Sequence, residues 1–244
     1  MLIGLIVGLV TAVVLSHTAP FPFILDAVSG DRTVWRMPDV PGRQRVYLTF
    51  DDGPNPAYTP ILLNLLRDKG VHASFFVIDS HLTRETAPIL TRAFVDGHCI
   101  GLHSADRWLM SRSSVEVSRT LKEAADRMES LTGFRPAPLF RPHAGWRSAS
   151  MLSGLARLNL RLVGWSWKTW DWVGFRQRTA ARVSSQIISN ARPGKIIVIH
   201  DSHHRDPRAD RQYAVDATAR IIDELRSRGY EFGVLWPAPQ DSDD

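Results

Sequence analysis

Cysteine is almost absent from this sequence: of 244 residues only Cys99 is one, so no disulfide forms within the chain. Its apolar neighbours suit a buried thiol, which says little about redox compartment. Lysine is nearly as scarce, with 4 against 26 arginines, and the basic residues are scattered rather than gathered in blocks. A net charge of +5 spread in this way argues for contact with anionic surfaces and against a nucleic-acid stripe, so no nucleic acid partner is expected. Charge is missing altogether from residues 1–25, MLIGLIVGLVTAVVLSHTAPFPFIL. The unbroken apolar part, 2–15, falls short of the roughly 20 residues of a membrane span and fits the core of a signal peptide. A basic flank is lacking and 16–19 is a poor cleavage site, so an uncleaved anchor extended by 21–25 competes with that reading, and a buried core helix is a third. The expectation is a protein that is secreted, or anchored in a membrane through this segment and facing outward.

What is there reads as one sizeable α/β unit, with 44% apolar residues to build its core. Residues 26–44 carry Gly, Pro and charge and read as a linker, and 237–244 as an acidic tail. Between them, strand-like runs at 45–50, 72–78, 99–103, 137–141, 161–167, 195–200 and 230–236 alternate with helical segments near 58–70, 84–97, 113–131, 148–158, 176–191 and 212–228. Seven strands separated by helices point to parallel βαβ units and a closed or nearly closed barrel, with ligands beyond the C-terminal strand ends.

The stretch LTFDDGP (48–54) sets two carboxylates side by side at the end of an apolar run and then turns the chain. Neighbours on a strand point to opposite faces, but the turn at Gly53 and Pro54 can bring both to one rim. Like charges held close raise one pKa, so the pair calls for a counter-charge, a metal or a shared proton. The structural alternative is an Asx-type turn or a cap for the following NPAYTPILLNLL, in which Asp or Asn satisfies free backbone N–H groups. Other titratable residues favour the site: Asp51 and Asp52 follow the first strand, His103 the third, Arg141 the fourth, Asp171 the fifth and His200 the sixth. In a barrel these positions converge on one rim.

Five motifs stand along the chain, TFDDG (49–53), HSADR (103–107), RPHAG (141–145), WSWKTWDW (165–172) and VIH (198–200), and together they resemble those of the polysaccharide deacetylases, carbohydrate esterase family four. TFDDG (49–53) matches the first, and HSADR (103–107) matches the start of a second that is usually H-[ST]-x-x-H. RPHAG (141–145) resembles R-x-P-x-G or R-P-P-x-G, WSWKTWDW (165–172) ends in Asp-Trp like the fourth, and VIH (198–200) resembles L-x-H. The likeness runs over about 45–236 and implies a distorted (β/α)7-type barrel of the polysaccharide deacetylase kind. It also implies a metal-dependent hydrolase that removes acetyl groups from an acetylated, above all N-acetylated, cell-envelope polysaccharide or oligosaccharide. On the same resemblance Asp52 and His103 bind a divalent metal, usually zinc, and Asp51 is the general base. Arg141 and the metal offset the repulsion between the two acids, and His200 protonates the departing amine while Asp171 orients it. By the same resemblance the backbone N–H of Ala144 helps to stabilise the oxyanion; Trp170 and Trp172, at the strand end beside Asp171, are candidates for a wall against the sugar or acetyl group. Trp165 and Trp167, which alternate on a strand, are read as core.

Departures from the pattern leave alternatives open. Arg107 stands where the second metal-binding His is expected, and a cation cannot ligate a metal. Asp106 could supply an oxygen ligand or pair with Arg107. His143 replaces a Pro and either reaches the rim or is exposed. His203 and His204 either replace the missing ligand or belong to a solvated loop. The first acidic position of the fourth motif is missing. A catalytically silent carbohydrate-binding relative is therefore the second reading, and a different hydrolase with Ser104 as nucleophile, for which no triad is evident, the last.

Overall fold

A computed structural model describes residues 2–17, 32–166, 168–171 and 178–236 of the chain. Eight strands form one sheet: β1 (Thr33–Val34), β2 (Gln44–Asp51), β3 (Ser74–Ile78), β4 (Cys99–His103), β5 (Leu139–Arg141), β6 (Arg161–Val163), β7 (Ile196–His200) and β8 (Tyr230–Gly233). The order is β1-β6-β5-β4-β3-β2-β7, all parallel, with β8 beside the first half of β2. Parallel neighbours need crossovers, which the helices α2 (Tyr58–Asp68), α3 (Ala87–Val95), α4 (Ser114–Thr132), α5 (Ala149–Arg157), α6 (Ala180–Asn190) and α7 (Gln212–Ser227) provide. The long α4 shows how firmly sequence sets these ends: Ser113 and Glu116 form a capping box, and Gly133 closes the helix in the left-handed region at φ 81°. A separate helix, α1 (Leu2–His17), precedes the domain.

Side chains alternate across each strand and so divide between two cores. Val46, Leu48 and Phe50 of β2, Phe75 and Val77 of β3, Ile100 and Leu102 of β4, and Ile197 and Ile199 of β7 pack outward against the helices. The opposite parity places Val34, Tyr47, Phe76, Cys99, Leu139, Val163 and Ile196, one from each of seven strands, in a second cluster within the curl of the sheet. Continuing along that inner parity, the last residues of β2, β4, β5 and β7 are Asp51, His103, Arg141 and His200. Apolar side chains thus fill the floor and titratable ones the rim of the same surface. Register sets the rim further, because Asp51 is directly opposite His200 and His103 directly opposite Arg141.

Three expectations change. The presumed linker contributes β1 at 33–34, which pairs with Leu162 and Val163 of β6. Trp35 then lies edge-on to Trp165 at 6.2 Å, so the domain begins before residue 45. Two residues, Thr33 and Val34, are too few to carry a readable strand period, which hid β1 in the sequence. The fifth expected strand, 161–167, stops at Val163; beyond it 164–166 and 168–171 run irregularly along β7, with Ser166 N donating to Ile196 O (3.1 Å) and Asp171 N to Val198 O (3.1 Å). This seam joins the two sides of the curl and makes the barrel distorted. Most of the other elements are shorter than expected by a few residues at their ends, while β4 has the expected bounds, α4 is shifted by one residue and β2 is longer by one residue at each end. Residues 1, 18–31, 167, 172–177 and 237–244, which include Trp167, Trp172 and the acidic tail, are outside the described residues.

Candidate active site

The two adjacent acids are not helix caps. Asn55 does that work: its Oδ1 accepts from the amides of Ala57 (2.9 Å) and Tyr58 (3.2 Å) at the start of α2. Asp51 ends β2 with inner parity, and Asp52 turns the chain at φ 73°, a region that Asp tolerates better than most side chains. That left-handed residue puts both carboxylates on the rim. The turn is held from below by His81 Nδ1–H, which donates to the Asp52 carbonyl at 2.8 Å, and by Ile78 N, which donates to Gly53 O at 3.1 Å. Gly53 is required by close approach, since a Cβ there would lie 2.8 Å from a carboxylate oxygen of Asp201.

Arg141 is fully buried and fixes Asp51. Its Nη1 donates to Asp51 Oδ1 at 2.5 Å and to Thr49 Oγ1 at 2.8 Å, while Nη2 and Nε donate to the carbonyls of Gly164 (2.9 Å) and Val163 (3.3 Å). Its guanidinium lies 3.9 Å over the Phe76 ring. Phe76 has that place because residue 101 is glycine; a Cβ there would come within 2.9 Å of the ring. One Asp51 oxygen is thereby neutralised and oriented, and the other remains for chemistry.

Asp52 faces His103, with Oδ1 and Nε2 3.2 Å apart. Nδ1 of His103 is 2.7 Å from the Arg141 carbonyl, which only accepts, so Nδ1 carries the proton. With Nδ1 committed as a donor, Nε2 meets the carboxylate either through a proton of its own or, as a lone pair, across a metal ion held between them. Ligand atoms of a tetrahedral ion with bonds of about 2.1 Å are about 3.4 Å apart, so the pair is spaced as two neighbouring ligands. Burial pushes the Asp52 carboxyl up, but the His103 hydrogen bond and the His200, His103 and His204 rings hold it well below the usual range. The expected third ligand is not in place. Asp106 is turned away: Oδ1 accepts from Trp108 N (2.8 Å) and Oδ2 pairs with Arg112 (2.9 Å), while Arg107 is exposed. Among the described residues, no three His, Cys, Asp or Glu side chains surround one metal position.

On the other side, Asp171 holds His200. Its carboxylate accepts from His200 Nδ1 (2.7 Å), from the His200 amide (2.9 Å) and from the Tyr213 hydroxyl (2.8 Å). Burial alone would lower the His200 pKa; Asp171, with Asp52 and Asp51 behind it, raises it to about 9. Asp171 is fully buried, which pushes it up, yet the imidazole contact brings it down to about 2. It arrives from the seam and not from a strand end, because β6 has already stopped.

These groups share a cavity of about 300 Å³ lined by Asp51, Asp52, His103, Ala144, Trp170 and His200, and also by Trp165, Arg178 and Arg211. Three further imidazoles, His143, His203 and His204, complete its wall. Trp165, read as core, is both packed on Trp35 and exposed to this cavity. Ala144 is left-handed at φ 49°, which turns the segment after β5 back over the rim.

A family model for polysaccharide deacetylase matches residues 39–163. The chain is 33% identical over 202 residues to a chitooligosaccharide deacetylase of Azorhizobium caulinodans, covering 80% of this chain and 92% of the relative. The chain belongs to the polysaccharide deacetylase family. Among solved members of this family, the Bc1960 peptidoglycan N-acetylglucosamine deacetylase superposes with a TM-score of 0.71 at 26% identity, covering 86% of this chain and 94% of that one. A family 4 acetyl xylan esterase from Clostridium thermocellum, in complex with a cobalt ion, gives 0.67 at 29% identity over 78% and 88% of the two chains. A divalent metal is therefore in keeping with this polysaccharide deacetylase fold.

Sequence reasoning missed several groups of the site. Thr49 helps to hold Arg141, and Tyr213 and Arg178 back Asp171, with Arg178 Nη1 donating to the Tyr213 hydroxyl at 3.4 Å. Asp201 sits behind the acidic turn and binds the Thr59 hydroxyl; burial above all, then Asp52 and Asp51, push it up to about 7. Its place directly after His200 was the one available signal.

Proposed function

We propose that the protein removes acetyl groups from an N-acetylated polysaccharide or oligosaccharide of the cell envelope. What carries this reading is the meeting of two separately oriented pairs at one cavity, Asp51 with Arg141 and His200 with Asp171, with Asp51 and His200 side by side on neighbouring strands. Asp52 and His103 would hold a divalent ion, zinc on this reading, which polarises the acetyl carbonyl and activates water when bound. Asp51, with Oδ1 tied to Arg141, accepts the proton of the attacking water on its other oxygen. His200, anchored through Nδ1, delivers a proton from Nε2 to the leaving amine, so that acetate and a free amino sugar result. Asp171 keeps the imidazole charged until that step. The Ala144 backbone and Trp170 border the space for the acetyl group, with Trp172 as a further candidate wall.

Chitooligosaccharide and peptidoglycan relatives support an amide-linked acetyl group as the target. We place the protein at the envelope because α1 carries no charged residue and is largely apolar, with Leu2, Ile3, Leu5, Leu9 and Val10 all exposed rather than packed on the domain. At 1.5 Å per residue its 16 residues rise about 24 Å against a hydrocarbon core of about 30 Å. Among the described residues no helix is long and apolar enough to cross a membrane.

The catalytically silent carbohydrate-binding relative is the second reading, favoured by Arg107 at the expected ligand position and by the lack, among the described residues, of a third donor beside Asp52 and His103. One experiment separates the two: metal content of the purified full chain, measured alongside acetate release from chitooligosaccharides, peptidoglycan fragments and acetylated xylan. Acetate release that depends on metal supports the deacetylase; glycan binding with neither metal nor acetate supports the silent relative.

A further inference from the structure

The metal reading leaves Asp52 and His103 one donor short, and the cavity holds imidazoles that the proposed reaction does not use. His143 sits on the turn after β5 and His204 on the loop after β7, and their ring centroids meet 4.9 Å apart at 61°. Both line the cavity that Asp52 and His103 also line. Every other imidazole of the cavity is hydrogen-bonded: His103 to the Arg141 carbonyl, His200 to Asp171, and His203, whose Nδ1 accepts from Arg205 N at 3.2 Å. His143 and His204 make no hydrogen bond with any described residue. Two half-buried rings with unused nitrogens beside a carboxylate and a third imidazole form a donor set suited to a borderline-soft divalent ion.

Resting on the deacetylase reading above, we propose that the third protein ligand of the metal comes from the facing pair His143 and His204, and not from the segment that follows His103. That segment has nothing left to give: both Asp106 oxygens are engaged, Ser104 Oγ donates to the Asp106 carbonyl at 3.2 Å, and Arg107 is an exposed cation. The assignment requires one ring of the pair to turn about its side-chain torsions toward Asp52 and His103, since no three donors surround one metal position among the described residues as the side chains stand. The extra histidines at 143 and 204 thus stand in for the imidazole that Arg107 displaces.

The test is zinc and cobalt titration of the full chain, read by thermal unfolding and by the visible spectrum of bound cobalt, so that no substrate is needed. In the His143→Ala/His204→Ala double variant zinc affinity should fall by about 10²-fold or more, since even residues behind the ligands change affinity by about 10–100-fold. Asp106→Ala and Arg107→Ala should bind as the wild type does. His143→Cys and His204→Cys guard against a folding defect: a thiolate that joins the cobalt gives an intense sulfur-to-metal charge-transfer band in one of the two variants. Wild-type affinity in the double variant, loss of metal in Asp106→Ala, no such band in either cysteine variant, or no metal in the wild type would each overturn the proposal. If the metal behaves as expected but no glycan releases acetate, the deacetylase reading fails while this ligand assignment stands.

Discussion

Arg141 Nη1 meets Asp51 Oδ1 at 2.5 Å with the two side chains 0% and 3% exposed, so the proposed base is paired with a cation wholly out of water. Breaking such a pair strands a buried charge, which costs about 3–5 kcal/mol. Arg141→Met should therefore lower unfolding stability at neutral pH by about that much in urea titration. Arg141→Lys should recover only part of it, because one ammonium cannot reach Asp51, Thr49 and the carbonyls of Val163 and Gly164 together. Equal stability of wild type and Arg141→Met would show that the pair does not hold the rim.

Asp51→Asn and His200→Ala should each reduce turnover by about 10²–10⁴-fold, the usual contribution of a positioned acid or base, while metal content stays that of the wild type. Asp52→Ala should lose metal and turnover together. Metal loss on Asp51→Asn would contradict the division between base and ligand.

The strand ends and the identity of the rim were legible because each titratable residue closes an apolar run with the inner parity of β2, β4, β5 and β7. Asp52 could be separated from a helix cap only when Asn55 was seen to cap α2. The rest was hidden for definite reasons. β1 is two residues long and is a strand only through its partner β6. Asp171 reaches His200 along an irregular seam with no period to read. Asp106 resembles a ligand by spacing from His103, but the chain leaves β4 through a turn and a short 3₁₀ segment at Arg107–Ser111, so helical spacing does not apply and Asp106 caps that segment instead.

The His200–Asp171 contact gives a pH signature. His200 titrates at about 9, above its ordinary 6.5, so the stability it contributes is complete below about 6.5 and disappears as pH rises through about 9. The same group must be protonated to act as acid, so the alkaline limb of kcat should fall near pH 9 in the wild type. Asp171→Asn removes the charge that raises it, and a neighbouring opposite charge shifts a pKa by about one to three units. The limb should move down by that amount, with a smaller change at acid pH. An unmoved limb would assign that proton to another group.

The N-terminal boundary gives the last prediction. Trp35 is packed edge-on against Trp165, and a Cβ at Gly164 would lie 1.9 Å from its ring, so residue 164 is glycine to admit this tryptophan. Arg147 stacks over the same ring at 4.8 Å. Gly164 also gives its carbonyl to Arg141, which links the segment before β2 to the base on the rim. Trp35→Ala should therefore cost about 3 kcal/mol, the lower end for a packed tryptophan since its ring is partly exposed, and should lower turnover through Arg141 as well. A chain starting at residue 32 should keep stability and turnover and lose whatever membrane association α1 confers, measured by flotation with lipid vesicles. A chain starting at residue 45, which lacks β1 and Trp35, should unfold at lower urea concentration than the chain starting at 32. Equal midpoints for the two truncations would mean that 32–44 is a linker after all.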